Sequence, residues 1–444
     1  MLTRIQSPFS GGFDARNVTS DRPVSRRKGL WNIAFSGGAA LAVSQMGYYS
    51  LAGFTNVLLP EGSLGGILIR ISIFSIILAA FARLQHKNNM SNYRPLLIPA
   101  GAFFFIYMLR LIDNCFFSDI SLPWGADFIF SVFLISTVFS AFLMAQLARD
   151  VHDDDLIGVT IALNFLFVIS LLLNLDALVE TSDARMLLDK VNPISMSHTA
   201  VGFLLFHTLA FRKSKLSMLM ALGMTPLLLL VIVYTRSRGA WVAGLGAIVV
   251  YVLLIKGTRR VWAVAGLGSA AFGTMLFASD YLDIIRERMD FTDIYSDQST
   301  YVRYLLHENA WRQFVDGFAL GGYIVELSQN SYPHDLYLEV LMAVGVIGAI
   351  PFALHVLIAM RAAIGIIRSN KFMLAPVLTA VLFLRESIAV AMSGCIWNSS
   401  EYWTCSFLVI AFWYGRRRPR DERKSPIFGH GPASALGWDR HARV

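Results

Sequence analysis

Met218 to Tyr234 reads MLMALGMTPLLLLVIVY, and after Thr235-Arg236-Ser237-Arg238-Gly239 the chain resumes from Ala240 to Ile255 as AWVAGLGAIVVYVLLI. These two runs decide the fold. Thr225 and Pro226 are the main interruptions of the first, so it is apolar on nearly every face a helix could present. A helix at the surface of a soluble domain keeps a polar stripe; one that is apolar all round needs lipid or a protein core about it. Each run approaches the roughly 20 residues that cross about 30 Å of hydrocarbon. The five residues between them are then a tight turn at a membrane surface, and Arg236 and Arg238 sit in it. Phe128 to Leu147 reads the same way, broken only by Gln146 and a few hydroxyls.

Composition extends this to the whole chain. Of 444 residues, 55% are hydrophobic and 15% charged, where soluble domains carry about 25% charged residues. The formal charge of +8 does not point to nucleic acid. The basic residues fall in short loops and at the two ends, without zinc-finger spacing, a Gly-rich phosphate loop or an aromatic-basic platform. Three cysteines form neither a disulfide framework nor a metal site. Cys115 and Cys395 fall on the same side in the topology below, placed either to pair or to remain free thiols. The first 30 residues are polar and basic and lack the apolar core of a cleavable signal, so the first span is expected to serve for targeting.

The fold class expected is all-α: a polytopic membrane helix bundle of about twelve spans with a long outside loop holding a short amphipathic helix. The spans fall near 31–52, 63–82, 96–112, 125–147, 155–177, 197–211, 217–234, 240–255, 261–279, 336–360, 372–392 and 400–415. This divides the chain into a basic tail (1–30), nine spans (31–279), a long periplasmic loop (280–335), three spans (336–415) and a second basic tail (416–444). Lys and Arg are retained on the cytoplasmic side. With both termini inside, 27 of the 38 Lys and Arg lie inside, eight outside and three within spans. The expected location is therefore the inner membrane, with both ends cytoplasmic.

The eight outside cations run against that bias and call for a reason. Seven are arginines: Arg185, Arg236, Arg238, Arg286, Arg288, Arg303 and Arg312. The planar guanidinium fork suits phosphate and diphosphate. Arg286, Arg288 and Arg312 read as solvated loop residues. Arg238 stands at the mouth of an apolar span, where a charge must face a cavity or a partner, and Gly239 lets backbone amides approach an anion. An amphipathic helix is expected near Thr300–Phe318, with Tyr304, Leu305, Trp311, Phe314 and Phe318 near helical spacing.

The loop ends in Tyr332-Pro333-His334-Asp335-Leu336-Tyr337-Leu338-Glu339-Val340 and leads into Val344-Gly345-Val346-Ile347-Gly348, which suits close helix packing. His334 suits two roles. As a neutral imidazole it can take a proton from a hydroxyl, and at a helix start it can serve as a cap. Asp335 and Glu339, one turn apart, either orient His334 or complement the positive helix start. Within spans, Arg70, Arg110 and the Arg385-Glu386 pair must face the bundle interior or an aqueous cavity. Structural pairing suits most of them, with different partners expected for Arg385 and Glu386. Arg110 with Asp113, near the outside surface, is the exception placed to line a cavity, and His355 reads as structural. The acids Asp280, Asp283, Glu287, Asp290, Asp293 and Asp297 match no Ca²⁺ loop and read as a solvated segment.

Taken in order, the SRG turn, Arg303 with Trp311 and Phe314, Gly321-Gly322, and His334-Asp335 followed by LYLEV and GVIG resemble the bacterial O-antigen ligase/polymerase superfamily. The resemblance is best over about 190–350, and Arg185 with Asn192-Pro193-Ile194 looks like that family's earlier outside loop. Asp335 departs from the Asn that many members carry. The resemblance implies a metal-independent, cofactor-free inverting glycosyltransferase acting on undecaprenyl-diphosphate-linked glycan at the periplasmic face. Its partners would be that glycan, membrane lipid and other assembly proteins such as a flippase or chain-length regulator, and not nucleic acid. Arg238, Arg185, Arg303 and Arg236 would hold the diphosphate and His334 would be the general base, with Asp335, Glu339 and Arg110 in support. A polymerase and a ligase differ only in acceptor, and polymerase is the reading taken here. A transporter or flippase suits the span number, but the chain lacks repeated halves. A metal-dependent transferase would need carboxylates in the first outside loop, which carries only Glu61. A pure scaffold gives the outside arginines no role.

Overall fold

A computed structural model describes residues 29–58, 64–84, 93–118, 120, 122, 124–173, 193–211, 213–235, 237–255, 298–369 and 373–415. The expected ninth span (261–279), the two tails, Arg185, Arg236, Arg286, Arg288 and the acids from Asp280 to Asp297 lie outside the described residues.

Helices dominate because hydrocarbon offers backbone groups no partner, so each span must satisfy its own. The described elements are α1 (Leu30–Ala34), α2 (Gly37–Ala42), α3 (Tyr48–Leu58), α4 (Leu64–Leu84), α5 (Ile98–Ile112), α6 (Ala126–Val132), α7 (Ser140–Leu147) and α8 (Asp153–Leu172). After them come α9 (Pro193–Ala210), α10 (Lys215–Tyr234), α11 (Arg238–Leu254), α12 (Gln298–Asp316), α13 (Leu336–Arg368), α14 (Leu374–Ser393) and α15 (Ser400–Gly415). π-Helical turns join α2 to α3 and α6 to α7 and extend α5 to Phe117. The first expected span is therefore not one smooth helix but two pieces, α1 and a continuous helix from α2 through the π-turn to α3, with Ser36 capping α2 through the Ala39 amide. Among the described residues there is no strand, only an isolated bridge between Glu326 and Ser331.

Seven of these helical segments are long and apolar enough to cross a membrane, and the chain is an all-α polytopic membrane protein. α14 is the central helix: 83% of its apolar window is buried, against 17% for α4. α13 instead shows a stripe of Ile347, Ile350, Leu354 and Leu357, each about half exposed or more. On a membrane protein such a stripe is the lipid-facing side. At one end of the bundle Asp153 of α8 accepts from the Leu374 and Ala375 amides at 2.8 and 2.9 Å and lies 3.4 Å from Lys213. It thus supplies α14 with the cap that Met373 lacks. The other end gathers the functional candidates.

That end is organised by a break in α13. Its 33 residues would span roughly 50 Å as one helix, but Gly345 has φ +59°. Val346 N–H donates to Phe318 O (3.0 Å) and Ile347 N–H to Ala319 O (3.1 Å) instead of bonding within the helix. The freed Met342 carbonyl accepts from Gly322 N–H at 2.9 Å, and Ala343 O accepts from Arg110 Nε at 3.0 Å. The segment after α12 is thus wedged into the helix, and every freed group has a partner. The expected close helix packing holds at Gly348, where a Cβ would lie 3.4 Å from Ile106 of α5, and the loop insertion at Gly345 is found beside it. Gly321 (φ +69°) and Gly345 face backbone: a Cβ would come within 2.4 Å of Ala343 at the first and 2.5 Å of Ala319 at the second.

Candidate functional site

The loop from Gly317 to Asp335 is built residue by residue. Asn114 accepts from Ile324 N–H at 2.7 Å, and Gln313 accepts from Leu327 N–H at 2.8 Å. Glu326 accepts from the Ser328 and Gln329 amides. Arg110 donates to Leu320 O at 2.9 Å and pairs with Asp113 at 3.1 Å. This corrects the expectation for Arg110: it clamps the loop and the helix break and is not among the residues lining the cavity described below. The carbonyls freed at Gly345 draw it there.

His334 ends the loop with φ +58°, a left-handed conformation that is uncommon for residues other than glycine. Its ring lies against Tyr332, centroids 4.3 Å apart, and its Nδ1 is buried with no partner among the described residues. Burial, with help from nearby Arg303 and His307, lowers its pKa to about 4. The imidazole is therefore neutral at physiological pH, with one ring nitrogen able to accept a proton. Asp335 is the helix cap. Its Oδ1 accepts from Tyr337 N–H (2.9 Å) and Leu338 N–H (3.2 Å), while burial raises its carboxyl above the usual range. Of its two expected roles, the structure shows complementing the helix start.

Glu339 does not reach back to His334 either. Fully buried, it accepts from Tyr107 O–H at 3.0 Å and from Ile396 N–H at 2.9 Å. It ties α5 and the loop between α14 and α15 to α13, because α13 turns that residue inward.

Arg303 and His307 come from α12, whose inward face is Arg303, Leu306, His307, Ala310 and Phe314. Of the residues at helical spacing, Phe314 is buried, while Tyr304, Trp311 and Phe318 are exposed. Arg312 is exposed and paired with Glu308. Arg303 Nη1 donates to Met392 O at 3.4 Å, at the end of α14. Arg238 opens α11 beside Gly239, where a Cβ would meet His198 Nε2 at 3.8 Å and Met392 at 3.9 Å. The helix starts bearing Arg238 and His334 and the inward face bearing Arg303 thus converge on the end of α14. Arg185 and Arg236 lie outside the described residues.

Beside this group is a cavity of about 310 Å³, lined among others by Tyr48, Tyr49, Arg70, His198, Tyr332, Arg385, Asn398 and Glu401. Arg70 lies over the Tyr48 ring at 4.6 Å and within 3.5 Å of Asn398. Arg385 donates to His198 O at 2.6 Å and also pairs with Glu386, so the expectation of different partners for these neighbours fails. The guanidinium is long enough to fold back onto the adjacent carboxylate. Sequence reading took Arg70 and Arg385 as structural. The signal that marks them is their position within spans, near the ends that gather here. His355 is structural as expected, buried and 2.9 Å from Ser406 Oγ. Cys115, Cys395 and Cys405 are free, and burial raises the Cys395 thiol well above its usual range.

These features define a helical membrane protein with a histidine-arginine group set beside a cavity at one end of its bundle. Residues 223–353 match the family model described as O-antigen ligase. This segment, under a third of the chain, carries Arg238, Arg303 and His334 and supports the O-antigen ligase-like superfamily and its ligase/polymerase type of function. No curated protein and no solved structure matches the chain.

Proposed function

We propose that the chain is an inverting, metal-independent glycosyltransferase that polymerises undecaprenyl-diphosphate-linked repeat units of a surface polysaccharide. In this reading it lies in the inner membrane with both termini cytoplasmic, and the site faces the periplasm. The observation that carries the proposal is a neutral, part-buried His334 next to Arg303 at the edge of a cavity. His334 takes the proton from an acceptor hydroxyl, whose oxygen attacks the anomeric carbon opposite the diphosphate. The bond from that carbon to the diphosphate oxygen breaks, and the lipid diphosphate leaves. Arg303 and Arg238, with Arg185 and Arg236, meet the charge that grows on it. Fixed cations of this kind stabilise a transition state because they need no reorganisation. His334 then releases its proton to solvent.

Gel analysis of surface glycan from a deletion strain tests this. The expected result is loss of polymer with single repeats remaining. Wild type restores it, but Arg238→Ala or His334→Ala, present in the membrane at equal level, does not. Normal glycan length and amount in both variants would overturn the site. The description of the matched family favours a second reading, transfer of finished glycan to a lipid A core. Accumulation of long lipid-linked chains in the deletion strain would select it. Lipid-linked repeats retained on the cytoplasmic side would instead select a flippase.

A further inference from the structure

Of the residues lining the cavity, only Tyr332 falls within the matched segment 223–353. The rest come from α3 and the π-helical turn before it, α4, α9, α14, α15 and the loop between the last two. Its chemistry differs from that of the group around His334. There, Arg303 and Arg238 stand where a diphosphate would be met by net positive charge. In the cavity, Arg70 and Arg385 are balanced by Glu386 and Glu401, so an anion gains little. What the lining offers is tyrosine rings (Tyr48, Tyr49), the Asn398 amide and charged groups that both donate and accept. Arg385 Nε, His198 Nδ1 and Gln45 Nε2 are buried polar atoms on this lining with no hydrogen-bond partner among the described residues. Leaving such groups unmet is unfavourable, and a polyhydroxylated ligand recovers that loss by bonding them. The cavity's size is that of a small-molecule site. Tyr332 joins the two regions: it lines the cavity and packs on His334 at 4.3 Å.

We infer that this cavity is the acceptor subsite, which takes the uncharged sugar whose hydroxyl His334 deprotonates, while the diphosphate of the donor is held on the Arg303 side. The inference rests on the transferase reading above. It assigns acceptor choice to Arg70, Asn398 and Tyr48, residues outside the matched segment.

The test is a thermal-shift titration of the full chain in detergent with two probes: inorganic pyrophosphate, and the repeat-unit oligosaccharide released from its lipid by mild acid. Wild type is expected to respond to both. Asn398→Ala and Arg70→Gln should require at least tenfold more oligosaccharide while keeping the pyrophosphate response, which also reports that they are folded. Arg303→Ala should show the reverse. An oligosaccharide response unchanged in both cavity variants overturns the assignment. So does loss of the pyrophosphate response in them, which would make the cavity the anion site. A wild type that responds to neither probe overturns the transferase reading and the inference with it. A response to oligosaccharide alone removes the diphosphate half of that reading, and the cavity variants still decide the assignment.

Discussion

Arg110 Nε donates to the carbonyl of Ala343 at 3.0 Å, and through this bond a span-end arginine holds open the break in α13. The same guanidinium reaches Leu320 O at 2.9 Å and Asp113 at 3.1 Å, so one side chain joins α5, the inserted loop and the helix that begins beside His334. The loop and the break keep each other in place, and His334 stands at their junction.

Arg110→Ala should therefore cost stability before it costs chemistry. It leaves part-buried carbonyls unmet, at about 1–3 kcal/mol, as is usual for such groups. Limited proteolysis of the detergent-solubilised protein should show cleavage between Gly317 and Asp335 at lower protease than for wild type. A variant with wild-type resistance and melting temperature would show that the clamp is dispensable.

Gly321, Gly322 and Gly345 separate steric need from composition. A Cβ at Gly321 would sit 2.4 Å from Ala343 backbone and one at Gly345 2.5 Å from Ala319 backbone, both with positive φ. Gly322 has nothing within 4 Å. Gly321→Ala and Gly345→Ala should sharply reduce folded protein in the membrane, while Gly322→Ala stays near wild type. Fluorescence-detected size exclusion of the three variants checks the ranking, and equal yields for all three would contradict it.

The pKa of about 4 for His334 predicts where activity fails in acid. The base must be neutral, so turnover should hold through pH 5–8 and fall as pH drops through about 4, well below the ordinary histidine value of about 6.5. Stability has the same sign. Between 6.5 and 4 the unfolded chain binds the proton that the folded chain refuses, so this contribution is present above 6.5 and lost as pH falls through that window. Arg303 is among the causes of the depression, so Arg303→Gln should move the acid limb upward, even at reduced rate. An acid limb that stays put in that variant would mean Arg303 does not act on His334.

Much of the helical architecture was legible because lipid leaves a chain few choices. The apolar runs at 218–234 and 240–255 appear as α10 and α11, and the charged turn between them lies at the bundle end with His334. Position along a helix was readable, but direction around it was not. Arg70 and Arg385, expected to face the bundle interior or an aqueous cavity, do line one, whereas Arg110, read as a lining residue, clamps a loop. The break at Gly345 was hidden for another reason. Its hydrogen bonds come from residues 318–322 and Arg110, far away in the chain, and no local pattern announces a loop inserted into a helix.

Glu339 gives the last prediction, because its two bonds separate a positioning role from a catalytic one. It accepts from Tyr107 O–H and Ile396 N–H in a fully buried place, and both bonds lead away from His334 to α5 and to the loop between α14 and α15. Glu339→Ala would leave both donors unmet and free the loop from Gly394 to Ser399, which carries the cavity residue Asn398. Activity should fall at least tenfold, mainly through a raised acceptor KM, with the acid limb of the pH profile unmoved. Tyr107→Phe removes one bond and should be milder. Because the two side chains act through one contact, the double variant should be little worse than Glu339→Ala alone. Strict additivity in that cycle, or an acid limb displaced by Glu339→Ala, would instead make Glu339 a partner of the base.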